Sequence, residues 1–443
     1  MPVDLVRDAA IDVLLRVFER GWFLDASLNK TLRRKTDLSA RGRRFLSQLA
    51  YGTVRHRMLC DHVLAHILTQ PLDGLPAPIR AILRMGVFQS IFCGQVTHPA
   101  MVNTSVDLAK RRGHAGTARL VNAVLRRTPQ SLDNVQLPAF AENPVEYLAL
   151  RYSTPVWLVA RWLARYTPEA VTKLCAALDT QAPITLRTNT TRIQPDKLAE
   201  RLAKAGFDTR STTPIPEERT LVTHKSPLKS KLFQQGFFIL QDPASMLPAH
   251  LMEPRDGEKV LDLCAGPGGK STHLAQLAPG TCVYALELVP HRTGAIVENA
   301  ERLGLDHVHV CCGDGLAPPV GGGFDAVLVD APCSGLGTLR RHPDLKYRVD
   351  AAAITRLAAL QAGLLRSAAK LCKNGGRVVY AVCTFTPEET LGVVEAVQKT
   401  TPLEPEDGPE WMQPWRVSIG QYQTRPQDGD LDGFFLMRFR TPC

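Results

Sequence analysis

The chain has 443 residues, of which 44% are hydrophobic and 22% charged, so it carries enough apolar side chain to exclude a wholly disordered protein and enough length for several domains. Lysine plus arginine exceed aspartate plus glutamate by 53 to 43, and the excess is local. Residues 1–130 hold 20 basic and 9 acidic side chains, while the remainder holds 33 and 34. A basic module joined to a neutral one points to a polyanion such as nucleic acid, with a solvated basic surface as the plain alternative.

The N-terminal run MPVDLVRDAAIDVLLRVFERG carries charges through its apolar positions and reads as an amphipathic helix, not a signal peptide. No stretch has 18 uncharged apolar residues, so a cytoplasmic protein without a membrane span is expected. Apolar spacings of three and four continue through RRFLSQLAYGTVRHRMLCDHVLAHIL, PIRAILRMGVFQSIF, NTSVDLAKRRG and TARLVNAVLRR. These segments predict an all-helical bundle over residues 1–135. Residues 131–150, rich in Pro, Asn and Gln, read as a linker. Over 150–235, two helical runs, the alternating strand PITLRTNTTRI and the helix PDKLAERLAKAG predict a small α+β subdomain. Arg187, Arg192, Arg201, Arg219, Lys225, Lys229 and Lys231 give that subdomain a basic character.

Residues 236–443 alternate between strand and helix. The strands are GFFILQD, KVLDLCA, TCVYALEL, HVHVCCGD, FDAVLVDAP and RVVYAVCTF. Apolar strands separated by helices predict a mainly parallel, Rossmann-like sheet covered on both faces. Ligands in such sheets bind beyond the strand carboxyl ends. KVLDLCA runs into Gly266-Pro267-Gly268-Gly269 and then a helix, a turn that lets a ligand approach the backbone. The spacing of a phosphate loop is absent, as is G-x-G-x-x-G, and Pro267 removes a donor. Glu287 ends the next strand, where an acid accepts from ribose hydroxyls, and Asp314 and Asp330 end the two after it. A turn interrupted by proline suits an adenosine ligand without phosphates, such as S-adenosylmethionine, better than a nicotinamide dinucleotide.

None of the 11 cysteines forms a C-x-x-C pair, and no Cys/His cluster has zinc spacing, so no metal is expected. Reduced thiols, mostly small buried hydrophobes, are expected, with Cys264, Cys282 and Cys311 inside strand-like runs. Cys333 in DAPCSG and Cys383 in YAVCTFTPEE instead close strands on the ligand rim. Inert packing would explain either alone. As a pair they fit methylation of a pyrimidine. A thiolate adding to C6 of cytosine makes C5 nucleophilic, and a second group then serves proton loss and release of the thiolate. An acid such as Asp330 can bond N3 and the exocyclic amine.

At these residues the chain resembles the RsmB/Sun family of small-subunit ribosomal RNA cytosine-C5 methyltransferases, over essentially its whole length. YGTVRHR, PIRAILRMGVFQSIF, VNTSVDLAKRRG and VNAVLRR resemble the NusB RNA-binding fold. FQQGFFILQDPASM, CAGPGGKS, DAPCSGLGTLRRHPDLKY, YAVCTFTPEE and DGFFLMRF resemble the family's catalytic-domain motifs. The resemblance implies S-adenosylmethionine bound by Cys264, Ala265, Gly266, Pro267, Gly268, Gly269, Lys270, Glu287, Asp314 and Asp330. It implies Cys383 as nucleophile, Cys333 as the residue assisting release, and Lys270 and Asp330 facing the base. Glu287 stands where aspartate is commoner. The implied partner is RNA, most specifically unassembled 16S ribosomal RNA, with a flipped target base and a monomeric enzyme. Arg340, Arg341 and Lys346, just after Cys333, are expected to hold the flanking RNA backbone. Two other readings use the same residues: an RNA-binding assembly factor with an idle catalytic domain, and a nicotinamide-dependent oxidoreductase.

Overall fold

The computed structural model describes residues 4–223 and 225–442, and these separate into two units. The first runs to Thr180 and takes in a later excursion, Leu339–Arg348; the second comprises Gln181–Thr338 and Val349 onward.

The first unit is helical. Asp4 caps Leu5–Phe18 by accepting from the Val6 and Arg7 amides at 3.0 Å. Ile11, Leu14, Leu49, Ile82 and Val121, from four different helices, meet in its core. Two features differ from the sequence expectation. The run 43–68 is two helices, Ala40–Arg55 and Arg57–Ile67, broken at His56. His56 turns inward and stacks on Phe92 with ring centroids 4.0 Å apart, and burial holds its pKa well below the ordinary value. Leu24–Arg34 is a further helix whose buried face is Leu24, Ser27, Leu28 and Thr31. Two of those four positions are hydroxyls, which bond the Val13 and Ser27 carbonyls and so hide the apolar stripe. The expected linker ends in the helix Pro144–Arg151, opened by the Asn143 cap and a proline in the first turn, both of which also read as breakers. The helices Val156–Leu163 and Pro168–Asp179 lie in this unit as well.

The second unit has two sheets. The smaller contains β1 (Thr185–Thr188), β2 (Thr209–Arg210), β3 (Glu218–Leu221) and β4 (Phe238–Leu240), in the order β2-β3-β1-β4 and antiparallel throughout. Leu186, Phe238, Leu198 and Leu202 pack this sheet against the helix Pro195–Lys204. The strand expected at GFFILQD therefore belongs here and not to the larger sheet. A short apolar run looks alike in both; its pairing with β1 decides.

The larger sheet contains β5 (Lys259–Asp262), β6 (Cys282–Glu287), β7 (Val308–Cys312), β8 (Phe324–Asp330), β9 (Cys372–Val382), β10 (Glu404–Pro405), β11 (Arg416–Ser418), β12 (Gln421–Thr424) and β13 (Phe434–Arg440). Its order is β11-β12-β13-β9-β8-β5-β6-β7, with β10 paired to β13. The strands β9-β8-β5-β6-β7 are parallel, whereas β13 lies antiparallel to β9 and carries β10, β12 and β11 with it. The sheet is thus a parallel core with an antiparallel wing, more mixed than the strand–helix alternation indicates. From β5 the chain runs outward through β6 and β7, then returns to build β8 and β9 on the other side. The strand order reverses between β5 and β8, and a crevice opens beyond the carboxyl ends at such a reversal.

Among the described residues no helix is long and apolar enough to cross a membrane.

Candidate active site

The functional side chains gather at that reversal. β5 ends at Asp262 and turns through Gly266–Gly269 into the helix Gly269–Leu277. Glu287 closes β6 and braces this turn: its Oε2 accepts from the Gly266 amide at 2.9 Å and its Oε1 from the Val289 amide at 2.9 Å. A Cβ on Gly266 would lie 2.3 Å from Glu287 Oε2, so a side chain here would push the end of the Glu287 carboxylate aside. Gly268 has φ +96°, and a Cβ there would stand 3.1 Å from Ile296 Cγ2. The turn is a bare backbone cradle beside a carboxylate, which fits the ribose and methionine ends of S-adenosylmethionine. Asp314, exposed beyond β7, accepts from the Leu316 amide at 2.9 Å through Oδ1. Burial pushes the Cys264 thiol up, and it stays protonated among the rim acids. Ala265 is buried, with its amide bonded to the Leu286 carbonyl at 2.8 Å.

Asp330 closes β8, and its Oδ2 accepts from Lys270 Nζ at 2.5 Å. Burial works against the Lys270 ammonium, but the Asp330 carboxylate outweighs it and the lysine pKa is raised. Lys270 is cationic at neutral pH. Its Nζ also lies 5.5 Å from the centre of the Phe434 ring, and Phe434 packs near Cys383.

The two cysteines converge. Cys333 Sγ and Cys383 Sγ stand 3.2 Å apart, each partly exposed and neither in a disulfide. The hydrogen bond to Cys383, burial and the neighbouring charge push the Cys333 thiol well above the ordinary cysteine value. Cys333 therefore keeps its proton at neutral pH. The Cys383 carbonyl accepts from the Gly337 amide at 3.0 Å, and the Gly337 carbonyl from the Gly433 amide at 2.9 Å, tying the two cysteine loops to the start of β13.

Sequence reasoning passed over Asp262 and Glu389, and it misplaced several basic residues. Asp262 is fully buried; it takes the Ser271 hydroxyl at 2.7 Å, and burial raises its pKa to about 7. Arg187, counted in the sequence toward the subdomain's basic character, is fully buried and bonds the Gly269 carbonyl at 2.5 Å and Thr272 Oγ1 at 2.9 Å. Arg340 and Lys346 are buried within the first unit. Lys346 Nζ bonds the Arg55 carbonyl at 2.9 Å, and burial lowers its pKa to about 7. They do not line a solvent-facing RNA path, because the excursion that carries them folds into a protein interior. Four of the ten described cysteines are buried, five are half-buried and Cys312 is exposed, so burial is not their common state.

Glu217, His250 and His273 bring three potential ligand atoms within 4.8 Å of one another. Glu217 Oε1 lies 2.8 Å from His250 Nε2 and 2.7 Å from His273 Nε2. Ligands sharing a zinc at about 2.0 Å would stand about 3.3 Å apart in a tetrahedron. Here the carboxylate instead sits at hydrogen-bond distance from both rings, and the cluster is a polar brace.

A glycine cradle braced by an acid, and two thiols beside a Lys–Asp pair, at one sheet reversal define an S-adenosylmethionine-dependent RNA (cytosine-5)-methyltransferase. The comparisons agree. The 16S rRNA methyltransferase RsmB/F family matches residues 249–440, the NusB family residues 5–130, and the RsmF/B-like ferredoxin-like domain residues 154–223. The chain is 34% identical to the probable ribosomal RNA small subunit methyltransferase B of Bacillus subtilis over 98% of both chains. It is 37% identical to the ribosomal RNA small subunit methyltransferase B of Thermus thermophilus over 98% of this chain and 97% of that one. The solved structure of a methyltransferase homolog from Pyrococcus horikoshii, 27% identical, matches 67% of this chain and 99% of its own with a TM-score of 0.58. The chain belongs to the RsmB/F family of 16S ribosomal RNA methyltransferases, and its reaction is methylation of cytosine C5 in ribosomal RNA through a catalytic cysteine.

Proposed function

We propose that Cys383 is the nucleophile and Cys333 the group that assists release. The observation that carries their joint action is the 3.2 Å separation of the two sulfurs beside the Lys270–Asp330 pair, and the order of roles follows the motif resemblance together with the raised Cys333 thiol. S-adenosylmethionine supplies an electrophilic methyl group on a sulfonium; Cys264 through Lys270, Glu287, Asp314 and Asp330 would hold it. Cys383 Sγ adds to C6 of the cytosine, and the C6–S bond places electron density at C5, where the methyl group is accepted. Lys270 and Asp330 orient the ring: the carboxylate accepts from the exocyclic amine, and the ammonium balances charge gathering on the base. Elimination then breaks the C6–S bond: Cys333 passes its thiol proton to the departing Cys383 sulfur, the Cys333 thiolate so formed takes the C5 proton, and the C5–C6 double bond is restored.

The substrate in this reading is unassembled 16S ribosomal RNA, met by a monomer in the cytoplasm. The helical domain through residue 135 and the 150–235 subdomain grip phosphates and shape, and the domain from 236 onward performs the chemistry. The basic excess of residues 1–130 supplies the phosphate attraction.

Two variants test the roles. Cys383→Ala is expected to abolish methyl incorporation from labelled S-adenosylmethionine while leaving cofactor binding intact. Cys333→Ala is expected to accumulate a covalent protein–RNA adduct on a denaturing gel. Adduct accumulation in the first variant and its absence in the second would reverse the assignment. Bisulfite mapping of 16S RNA from cells with and without the gene identifies the target cytosine.

A further inference from the structure

The two reactive sulfurs sit on different loops, one after β8 and one after β9, and nothing in the sequence ties those loops together. In the structure, beside the Gly337 amide bond to the Cys383 carbonyl, one buried side chain gathers both. Glu389 lies in the turn after β9 and is fully buried. Its Oε1 accepts from the Ser334 amide at 2.7 Å and from Gln361 Nε2 at 3.1 Å. Its Oε2 accepts from the Ser334 hydroxyl at 2.5 Å and the Thr386 hydroxyl at 2.7 Å. Gln361 Nε2 reaches on to the Pro332 carbonyl at 2.8 Å, and Ser334 Oγ lies 2.9 Å from Thr384 Oγ1. The Tyr380 hydroxyl lies 2.6 Å from the Glu389 carbonyl oxygen.

These contacts bracket both thiols. Pro332 and Ser334 flank Cys333; Thr384 and Thr386 follow Cys383. A carboxylate has about four lone-pair sites, and the four donors here fill them. Each donor is neutral, so Glu389 makes no ion pair with a described residue. A buried carboxylate without a countercharge is costly, and only a complete donor set sustains it. Mere packing would be served better by a leucine or a glutamine.

We infer that Glu389 is the positioning residue that sets the separation and mutual orientation of Cys333 and Cys383. It touches neither sulfur and acts through the loops on either side of them. Replacing it by glutamine would keep the staple, since the amide can turn its NH2 toward the Ser334 and Thr386 hydroxyls, which accept as readily as they donate. Replacing it by leucine keeps much of the bulk but removes every acceptor, and the loops would part.

This inference rests on the assignment of Cys333 and Cys383 as the reacting thiols, but its test need not. Diamide converts two neighbouring thiols to a disulfide, each thiol losing a hydrogen to the diazene, which becomes the hydrazine. The rate of Cys333–Cys383 disulfide formation, followed by peptide mass spectrometry on the full chain, reports thiol geometry without any RNA. Glu389→Leu is expected to slow it at least tenfold and to lower kcat for methyl transfer by about 100-fold, the scale of a misplacement near 1 Å. The KM for S-adenosylmethionine changes far less than kcat, because Gly266 and Glu287 of the cradle lie on other loops. Should Glu389→Leu not fold, Ser334→Ala and Thr386→Val each remove one hydroxyl donor and are expected to give smaller losses of the same kind. Disulfide formation at the wild-type rate in these folded variants would overturn the inference. Slowed disulfide formation together with methyl transfer that survives Cys383→Ala would leave the staple standing and sink the assigned roles.

Discussion

Asp262 offers a quantitative test of the electrostatics under the site. It ends β5 with its side chain out of solvent, and burial raises its pKa from the ordinary 3.8 to about 7, with the charge of Asp330 adding to the effect. A raised carboxyl pKa means that folding favours the protonated form. Its contribution to stability is therefore complete below about pH 4 and is lost as pH rises through about 7. At 1.36 kcal/mol for each tenfold change in proton affinity, the full loss is about 4 kcal/mol. Asp262→Asn cannot ionise. Whatever constant offset the amide brings, the variant should gain on the wild type by about 4 kcal/mol between about pH 4 and pH 8, then hold level. Urea denaturation at stepped pH measures this gain, with amide exchange of the β5 peptide isolating the catalytic unit. A difference that stays flat over the range refutes the reasoning and places the Asp262 carboxyl in a wetter, better-paired setting.

Two further outcomes follow from the cradle. Gly266→Ala drives a methyl group against Glu287 Oε2 and breaks the amide–carboxylate bond, so S-adenosylmethionine should bind at least tenfold more weakly, about 1.4 kcal/mol, by calorimetry. An unchanged Kd would show that the cradle does not hold the cofactor. Arg187→Met removes the buried guanidinium's bonds to the Gly269 carbonyl and Thr272 Oγ1, which then keep only the Thr272 hydroxyl's bonds to the Gly268 and Gly269 carbonyls, and should destabilise the catalytic unit by about 2 kcal/mol in urea. A loss below about 0.5 kcal/mol, the scale of ordinary surface changes, would mean that the guanidinium is not structural.

The chemistry of this chain is more legible in its sequence than its architecture. β5, β6, β8 and the second half of β9 stand out because strands buried on both faces must be continuously apolar, and the turns at their carboxyl ends then lie on one rim; β7, at the sheet edge, is only half-buried. Cys333, Cys383, Asp330 and the glycine turn are found by that logic, and the structure brings them together. Charge is the poorer guide. Arg187, Arg340 and Lys346 read as solvent-facing cations, yet all three are buried: Arg187 and Lys346 bond hydroxyl or carbonyl partners that no local pattern encodes, and the Arg340 backbone carbonyl accepts from Arg55. Glu389 hides for the same reason: its donors come from Ser334, Gln361 and Thr386, two of them more than 25 residues distant. The antiparallel wing beyond β9 escapes because β10 to β12 are two to four residues long and carry no resolvable alternation.

The excursion Leu339–Arg348 has a practical and an evolutionary consequence. Ten residues encoded between two catalytic strands complete the interior of the helical unit, with Lys346 and Arg340 buried there. A gene fragment cut after codon 180 would strand those residues without their surroundings and leave the helices short of a plug. The helical and catalytic parts are thus sewn together by the polypeptide itself. Ancestral recombination could exchange them cleanly only by also grafting this ten-residue patch.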